Sequence, residues 1–309
     1  MRLFLMIAAA ALAVLLLALF LWAYAPDKPR AELEARYAAA PSTFVEVAGV
    51  RLHLRDTGPR TAPALILLHG FGSSLHAWDA WAPRLEPDFR VIRFDIPGFG
   101  LTGADPSGDY TDARTIALIA ALMDRLGLPR AHLLGSSMGG RFAWRFAAAH
   151  PDRVAKLVLM APDGFASPGR GYDTPGRVPL LMRVLPYVLP DSLLRASLAP
   201  AYGDPAVLTQ PLFERYRDML LAPGVRQAIL DRTTQQSLPQ PEPILARIRA
   251  PTLLLWGERD GMVPVTNAAD YQRALADSRL VVLPGLGHVP MEEAPAASLA
   301  PVREFLLAP

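Results

Sequence analysis

The sequence predicts an α/β fold: an open, mostly parallel sheet with helices on both faces and a helical cap inserted between two of its strands. Three observations carry this. The short unbroken apolar runs ALILLHG (64–70), VIRFD (91–95), AHLLG (131–135), KLVLMAP (156–162), PTLLLWG (251–257) and RLVVLPG (279–285) have the composition of strands covered on both faces. Between most of them lie helix-period stretches such as TDARTIALIAALMDRLGL and GGRFAWRFAAAHP, and strand alternating with helix is the pattern of parallel pairing. The alternation fails once, over 163–250, where only proline-punctuated apolar helices such as RVPLLMRVLPYVLP and TQPLFERYRDMLLAPGVRQAILDRT occur.

Taken in order, the chain opens with a run from Leu3 to Ala25 that holds no charged residue. As a helix rising about 1.5 Å per residue it would cover the roughly 30 Å hydrocarbon core of a bilayer. A secretory signal has a shorter apolar region, and Pro26 directly after Ala23-Tyr24-Ala25 makes a poor cleavage junction. Residues 1–25 therefore read as a transmembrane anchor, with a cleaved signal segment as the alternative. Trp22 and Tyr24 sit where an aromatic belt would fall. A short tail ahead of a large domain suits a signal anchor, which places the domain outside the cytoplasm, or in the periplasm or medium if the segment is cleaved. Residues 26–42, with Pro26, Pro29 and Pro41, read as a tether containing one or two helical turns. TFVEVAGVRLHLRDTG alternates on both sides of Gly49, as expected for a hairpin with one covered face. It begins a core made of 43–162 and 251–309, with the cap at 163–250.

The composition removes several function classes. The net charge of +2 comes from interspersed acids and bases, so no phosphate-binding face and no nucleic-acid partner are expected. Cysteine is absent, which excludes disulfides, thiolate catalysis and cysteine metal sites. The six histidines show no helical i, i+4 pair, and no metal is expected. Gly98 to Gly103 matches a dinucleotide fingerprint, yet Pro106, Gly108 and Asp109 follow where that fold would open a helix. No cofactor is expected.

One constellation does carry chemistry. Ser137, in Gly135-Ser136-Ser137-Met138-Gly139, falls where an apolar strand ends and a helix begins, and the flanking glycines permit the sharp turn that exposes a nucleophile. Serine needs a base, and His288, in a glycine-flanked loop after the last strand, is placed to reach the sheet edge. Asp260, after the preceding strand, can fix the imidazole's tautomer. The backbone N–H groups of Phe71, in HGFGSS (69–74), and of Met138 would form an oxyanion hole. Asp163 and, less well, Glu258 could replace Asp260 as the acid. Ser136 and Ser74 are weaker nucleophile candidates. His69 reads as shaping the oxyanion loop; His53, His76, His132 and His150 read as structural or exposed. Glu292 and Glu293 read as carboxylates complementing the dipole of the last helix.

In these motifs, HGFG, D-x-P-G-x-G, G-x-S-M-G-G, W-G-x-x-D and G-H in order over about 43–309, the chain resembles the α/β-hydrolase superfamily, serine-nucleophile branch. Within it the sequence is similar to bacterial esterases and lipases with an amino-terminal apolar segment and to membrane-anchored monoacylglycerol lipases. The resemblance implies cleavage of carboxylic esters through an acyl-enzyme, and suggests that Asp95 anchors its loop. A small-molecule or lipid ester is the expected substrate, medium-chain or glycerolipid, with part of the apolar run Leu180–Leu189 lining an acyl pocket. Related dehalogenases and epoxide hydrolases place aspartate at position 137, which disfavours those reactions. Two alternatives remain: a carbon–carbon bond hydrolase of the same fold acting on a vinylogous diketone, and a non-catalytic binding protein on the same scaffold.

Overall fold

The computed structural model describes residues 1–166, 171–174 and 176–309; residues 167–170 and 175 of the expected cap lie outside the described residues. Eight strands, β1 (Ser42–Val47), β2 (Val50–Thr57), β3 (Ala64–Leu68), β4 (Arg90–Phe94), β5 (Ala131–Ser136), β6 (Val154–Met160), β7 (Thr252–Gly257) and β8 (Ser278–Leu283), form one sheet in the order β1-β2-β4-β3-β5-β6-β7-β8. β2 runs antiparallel to both neighbours, and from β4 to β8 every pairing is parallel. Each apolar run of the sequence is a strand, and alternate residues feed opposite faces as the pleat requires. Ile66 and Leu68 of β3 join the core on one side with Leu133, Phe142 and Trp256; Leu65 and Leu67 join the other with Trp78, Trp81, Leu134 and Val302.

The opening hairpin departs from expectation. β2 is buried along both faces rather than one. Leu52 and Leu54 enter the apolar core, while His53 and Arg55 point to the other side and are covered by a polar network: His53 on Asp95 and Ser42, Arg55 on Asp79 and the Tyr37 carbonyl. A face sealed by hydrogen bonds leaves no mark in apolar periodicity.

The helices are α1 (Arg2–Ala23), α2 (Arg30–Tyr37), α3 (Ala82–Leu85), α4 (Asp112–Arg125), α5 (Met138–Ala149), α6 (Asp191–Leu198), α7 (Gln210–Leu220), α8 (Val225–Gln235), α9 (Glu242–Leu245), α10 (Asn267–Ala274), α11 (Pro290–Glu293) and α12 (Pro295–Leu307). Thr111 caps α4, its side chain accepting from Arg114 N–H, and the helix turns Leu118, Ile119 and Leu122 into the core. α6 to α9 lie between β6 and β7, a stretch with no sheet strand among the described residues.

α1 stands apart from this body. Over an 18-residue stretch its mean hydropathy is 3.0, none of its residues is buried, and it is long and apolar enough to cross a membrane. The segment that follows is fastened rather than slack. Leu33 is buried in the core. Lys28 Nζ, Arg36 Nη1 and the Tyr37 hydroxyl all bind the buried Asp218 carboxylate of α7, at 2.9, 2.8 and 2.8 Å. That hydrogen bond leads the causes raising the Lys28 ammonium above its ordinary pKa.

Candidate active site

β5 ends at Ser136 and α5 begins at Met138, so Ser137 alone joins a buried strand to a helix. Its backbone lies at φ 53° and ψ −119°, a region that a residue with a Cβ occupies only when its surroundings impose it. The imposition is steric. A Cβ on Gly135 would sit 2.2 Å from the Gly139 carbonyl oxygen, and one on Gly139 would sit 2.3 Å from that of Leu68. Glycine at both positions lets strand and helix close to contact distance, and the serine between them is left projecting. Ser137 N–H donates to the Met160 carbonyl at 2.9 Å, and the Ser137 carbonyl accepts from the Arg141 and Asp163 amides at 3.0 Å.

His288 reaches the same place from the loop after β8. Its amide donates to the Ala201 carbonyl at 2.7 Å, so a cap residue fixes the backbone of this histidine. Its Nδ1 lies 2.7 Å from Asp260 Oδ2, with the carboxylate fully buried. Asp260 Oδ1 accepts from the amides of Met262 and Val263, each at 2.8 Å. With both oxygens engaged as acceptors, the carboxylate selects the tautomer carrying hydrogen on Nδ1 and leaves Nε2 as a lone pair. Ser137, His288, Phe71 and Met138 open on one cavity of about 500 Å³. Met138 is the first residue of α5, where the amide has no intrahelical partner.

The loop carrying Phe71 is braced from behind. His69 Nδ1 donates to the Gly70 carbonyl at 2.8 Å, and its Nε2 accepts from Ile96 N–H at 2.9 Å, an arrangement that needs a neutral ring. Burial pushes this imidazole down, in agreement. Asp95 accepts from the amides of Leu75 and Leu101, each at 2.7 Å, and so ties the loop after β3 to the Gly98–Gly103 turn. Burial alone would raise its carboxyl, but the charge and hydrogen bond of His53, with His76 and His69 nearby, hold it well below the usual carboxylate range.

The other candidates fall elsewhere. Asp163 borders the cavity, but its carboxylate pairs with Arg141 at 3.3 Å, while His288 is bonded to Asp260. Glu258 accepts from Gly285 N–H. Ser136 is buried in β5, and Ser74 faces His76. Ser42, His53 and Asp95 form a second Ser–His–Asp string with 2.8 Å contacts, but Ser42 also accepts from Arg55 Nε and none of the three lines the cavity. It staples the hairpin. Among the described residues no group of three or more His, Cys, Asp or Glu is arranged to hold a metal ion.

Two expectations are corrected. Glu292 and Glu293 do not serve the dipole of α12, whose first turn is free of acids. They sit in α11 and clasp the cap: Glu292 accepts from the hydroxyls of Tyr202 and Tyr216, each at 2.9 Å, and Glu293 accepts from Gly203, Asp204 and, at 2.8 Å, Gly287 N–H beside His288. Nor does the run Leu180–Leu189 line the cavity. Pro179 and Pro186 bracket a single 3-10 turn, Leu180–Val184, that points outward. Beyond Asp163, the cap's described contributions to the wall are instead Thr174, Gly176, Arg177, Arg232, Thr233 and Gln236. Arg232 was not singled out by the sequence, because one arginine in a polar helix has no distinguishing pattern. It donates to the Pro97 carbonyl at 2.6 Å and lies against Phe99, Tyr110 and Phe142, and burial lowers its guanidinium to about 10.

A family model described as the α/β hydrolase fold matches residues 63–201 and 202–295. A curated relative, 2-hydroxy-6-oxononadienedioate/2-hydroxy-6-oxononatrienedioate hydrolase 2 of Pseudomonas putida, is 34% identical over 253 residues, covering 77% of this chain and 85% of its own length. Among solved structures, a membrane phospholipase A described as a bacterial virulence factor superposes with a TM-score of 0.75 at 28% identity, covering 99% of this chain and 98% of its own. A meta-cleavage product hydrolase of Pseudomonas fluorescens IP01 does so with a TM-score of 0.74 at 26% identity, covering 85% and 97%.

Proposed function

Because the chain belongs to the α/β hydrolase fold family, we propose that it is a serine hydrolase cleaving carboxylic esters of membrane lipids, with Ser137, His288 and Asp260 as its catalytic residues. His288 Nε2 takes the Ser137 proton as Oγ attacks the ester carbonyl, and the Phe71 and Met138 amides receive the charge on the carbonyl oxygen. The tetrahedral species collapses to an acyl-enzyme as His288 protonates the leaving alcohol. Water, deprotonated by the same histidine, then releases the acid and restores the serine. The observation that carries the lipid assignment is the likeness over 99% of the chain, α1 included, to a membrane phospholipase A. Substrates of that class partition into the bilayer beside an anchored enzyme.

A second reading has support of its own. The curated relatives favour hydrolysis of a carbon–carbon bond in a dienoate better than they favour ester cleavage. Arg177 and Arg232 on the cavity wall supply cations of the kind a dienoate carboxylate would need. Lipid ester cleavage gives α1 a use, that of holding the enzyme beside its substrate, whereas those relatives align with 77% of the chain. The deciding experiment gives the full-length protein, in detergent and in vesicles, nitrophenyl esters of rising acyl length, a phosphatidylcholine, and a 2-hydroxy-6-oxo-dienoate, with Ser137→Ala as control. Serine-dependent turnover of the esters and the phospholipid is expected. Turnover of the dienoate with none of any ester would overturn the ester reading in favour of the second.

A further inference from the structure

The cap carries an apolar surface that the cavity does not use. Leu180 and Leu181 are 77% and 86% exposed, and Met182, Val184 and Tyr187 are exposed beside them. A water-facing surface seldom keeps so many large apolar side chains in one short segment. No acidic residue occurs from 176 to 190, while Arg177 and Arg183, both exposed, flank and punctuate the run.

What stands next to this surface identifies its partner. Ala25 N–H donates to the Tyr187 carbonyl at 2.9 Å, Leu189 N–H donates to the Ala23 carbonyl at 3.0 Å, and Tyr24 bridges Val188. The end of α1 and the end of the apolar run are thus one backbone-paired piece. On its other side the run follows directly from Gly176 and Arg177, which line the cavity holding Ser137.

We infer that Leu180–Tyr187 is a second membrane contact, lying in the headgroup–acyl boundary of the bilayer that α1 spans and setting the cavity wall against the lipid surface. This rests on the anchoring of α1 and not on which bond is broken. If Trp22 and Tyr24 mark the headgroup level, Tyr187 is held at that same level. At the roughly 2 Å per residue of a 3-10 turn, the seven steps from Leu180 to Tyr187 span about 14 Å along the chain, which keeps both leucines near that level. Interfacial segments bury their apolar side about 5–10 Å into that boundary. The arginines extend their stems along the apolar surface and keep their guanidinium groups among anionic headgroups.

The absence of cysteine makes the test direct. Full-length Val14→Cys, Leu181→Cys and Asp152→Cys proteins would be labelled with an environment-sensitive nitrobenzoxadiazole dye. They would then be reconstituted in phosphatidylcholine–phosphatidylglycerol vesicles containing lipids with a nitroxide at a shallow or a deep position. Asp152, with its side chain 92% exposed, precedes β6 at the end of that strand away from the cavity and serves as the water reference. The dye at 14 should be quenched by the deep nitroxide, the dye at 181 at least two-fold by the shallow one with blue-shifted emission, and the dye at 152 by neither. A dye at 181 that behaves like the one at 152, while 14 is quenched, overturns the second contact and leaves the anchor standing. A dye at 14 that escapes quenching removes the anchor, and this inference with it. A dye at 181 shielded from water but quenched by neither nitroxide would mean that a second copy of the chain covers the patch, which also overturns the assignment.

Discussion

Replacing Asp260 by asparagine tests whether this carboxylate governs the base. Asparagine keeps the shape but offers one acceptor oxygen where the site demands acceptors on two sides. The Met262 and Val263 amides, each 2.8 Å from Oδ1, require oxygen there, since an NH₂ in its place would leave two backbone donors unpaired at about 1–3 kcal/mol each. The NH₂ is therefore driven towards His288 Nδ1, 2.7 Å away, which must then accept. That places the ring's hydrogen on Nε2, the atom that has to receive the serine proton. In a serine protease the equivalent change of tautomer costs about four powers of ten in turnover, or about 5 kcal/mol of transition-state stabilisation at about 1.36 per decade. The assay is the second-order rate of covalent labelling by a fluorophosphonate, which is independent of the natural bond, together with the thermal midpoint. Asp260→Asn should lose at least a thousand-fold in labelling rate with little change in midpoint. Asp163→Asn should stay within about ten-fold of the parent, because that carboxylate pairs with Arg141. The reverse ranking would show that Asp163 is the working acid and that the 2.7 Å contact of Asp260 is structural.

Two further outcomes follow from the packing. In Gly139→Ala the new methyl meets the backbone oxygens of Leu68 and His69 at 2.3 and 2.5 Å, so the end of β3 must move, at about 1–3 kcal/mol. A midpoint several degrees lower and a labelling rate at least ten-fold slower are expected, and a protein unchanged in both would contradict the account of the elbow. The second outcome concerns acid. Burial lowers His76 and His132 from 6.5 to about 4. Between those values the unfolded chain binds protons that the folded chain refuses, so stability is fully present above about pH 6.5 and is lost as the pH falls towards 4. His132 Nδ1 is buried without a partner, and His132→Leu should shrink the loss of midpoint between pH 7.5 and 4.5. An identical loss in both proteins would argue against a neutral buried His132.

The sequence and structure agree where apolar pattern and covalent geometry decide the outcome. The six apolar runs are strands because each must be covered on both faces, and Ser137 turns at its strand end because only glycines fit beside it. Candidates chosen for their position at strand ends, Ser137, His288, Phe71 and Met138, share a cavity, and Asp260 meets His288 behind it. What stayed hidden depends on long-range polar pairing. Neither Glu292 nor Glu293 announces that it binds cap residues some ninety positions earlier, and Arg232 becomes part of the wall only once α8 is folded over Phe99. The outward aim of Leu180 and Leu181 was illegible for a related reason. An apolar residue reads as core in any sequence, and only the folded chain, with prolines bracketing the turn and the end of α1 beside it, shows these two side chains left exposed.

Asp218 has a mechanical meaning as well. The cap joins the core by two covalent connections, after β6 and before β7, and a lid built that way could swing about them. Here α11 grips it through Glu292 and Glu293, and the amino-terminal segment adds a further fastening. Its Leu33 is seated in the core, its Glu34 holds Arg51, and its Lys28, Arg36 and Tyr37 grip a carboxylate of the cap. A wide swing would have to strip three donors from a buried anion, at about 1.5–3 kcal/mol for each charged bond. Movement of the cap is thereby tied to the chain that leads to α1: a displacement of residues 28–37 would loosen α7, and a swing of α7 would pull on that segment.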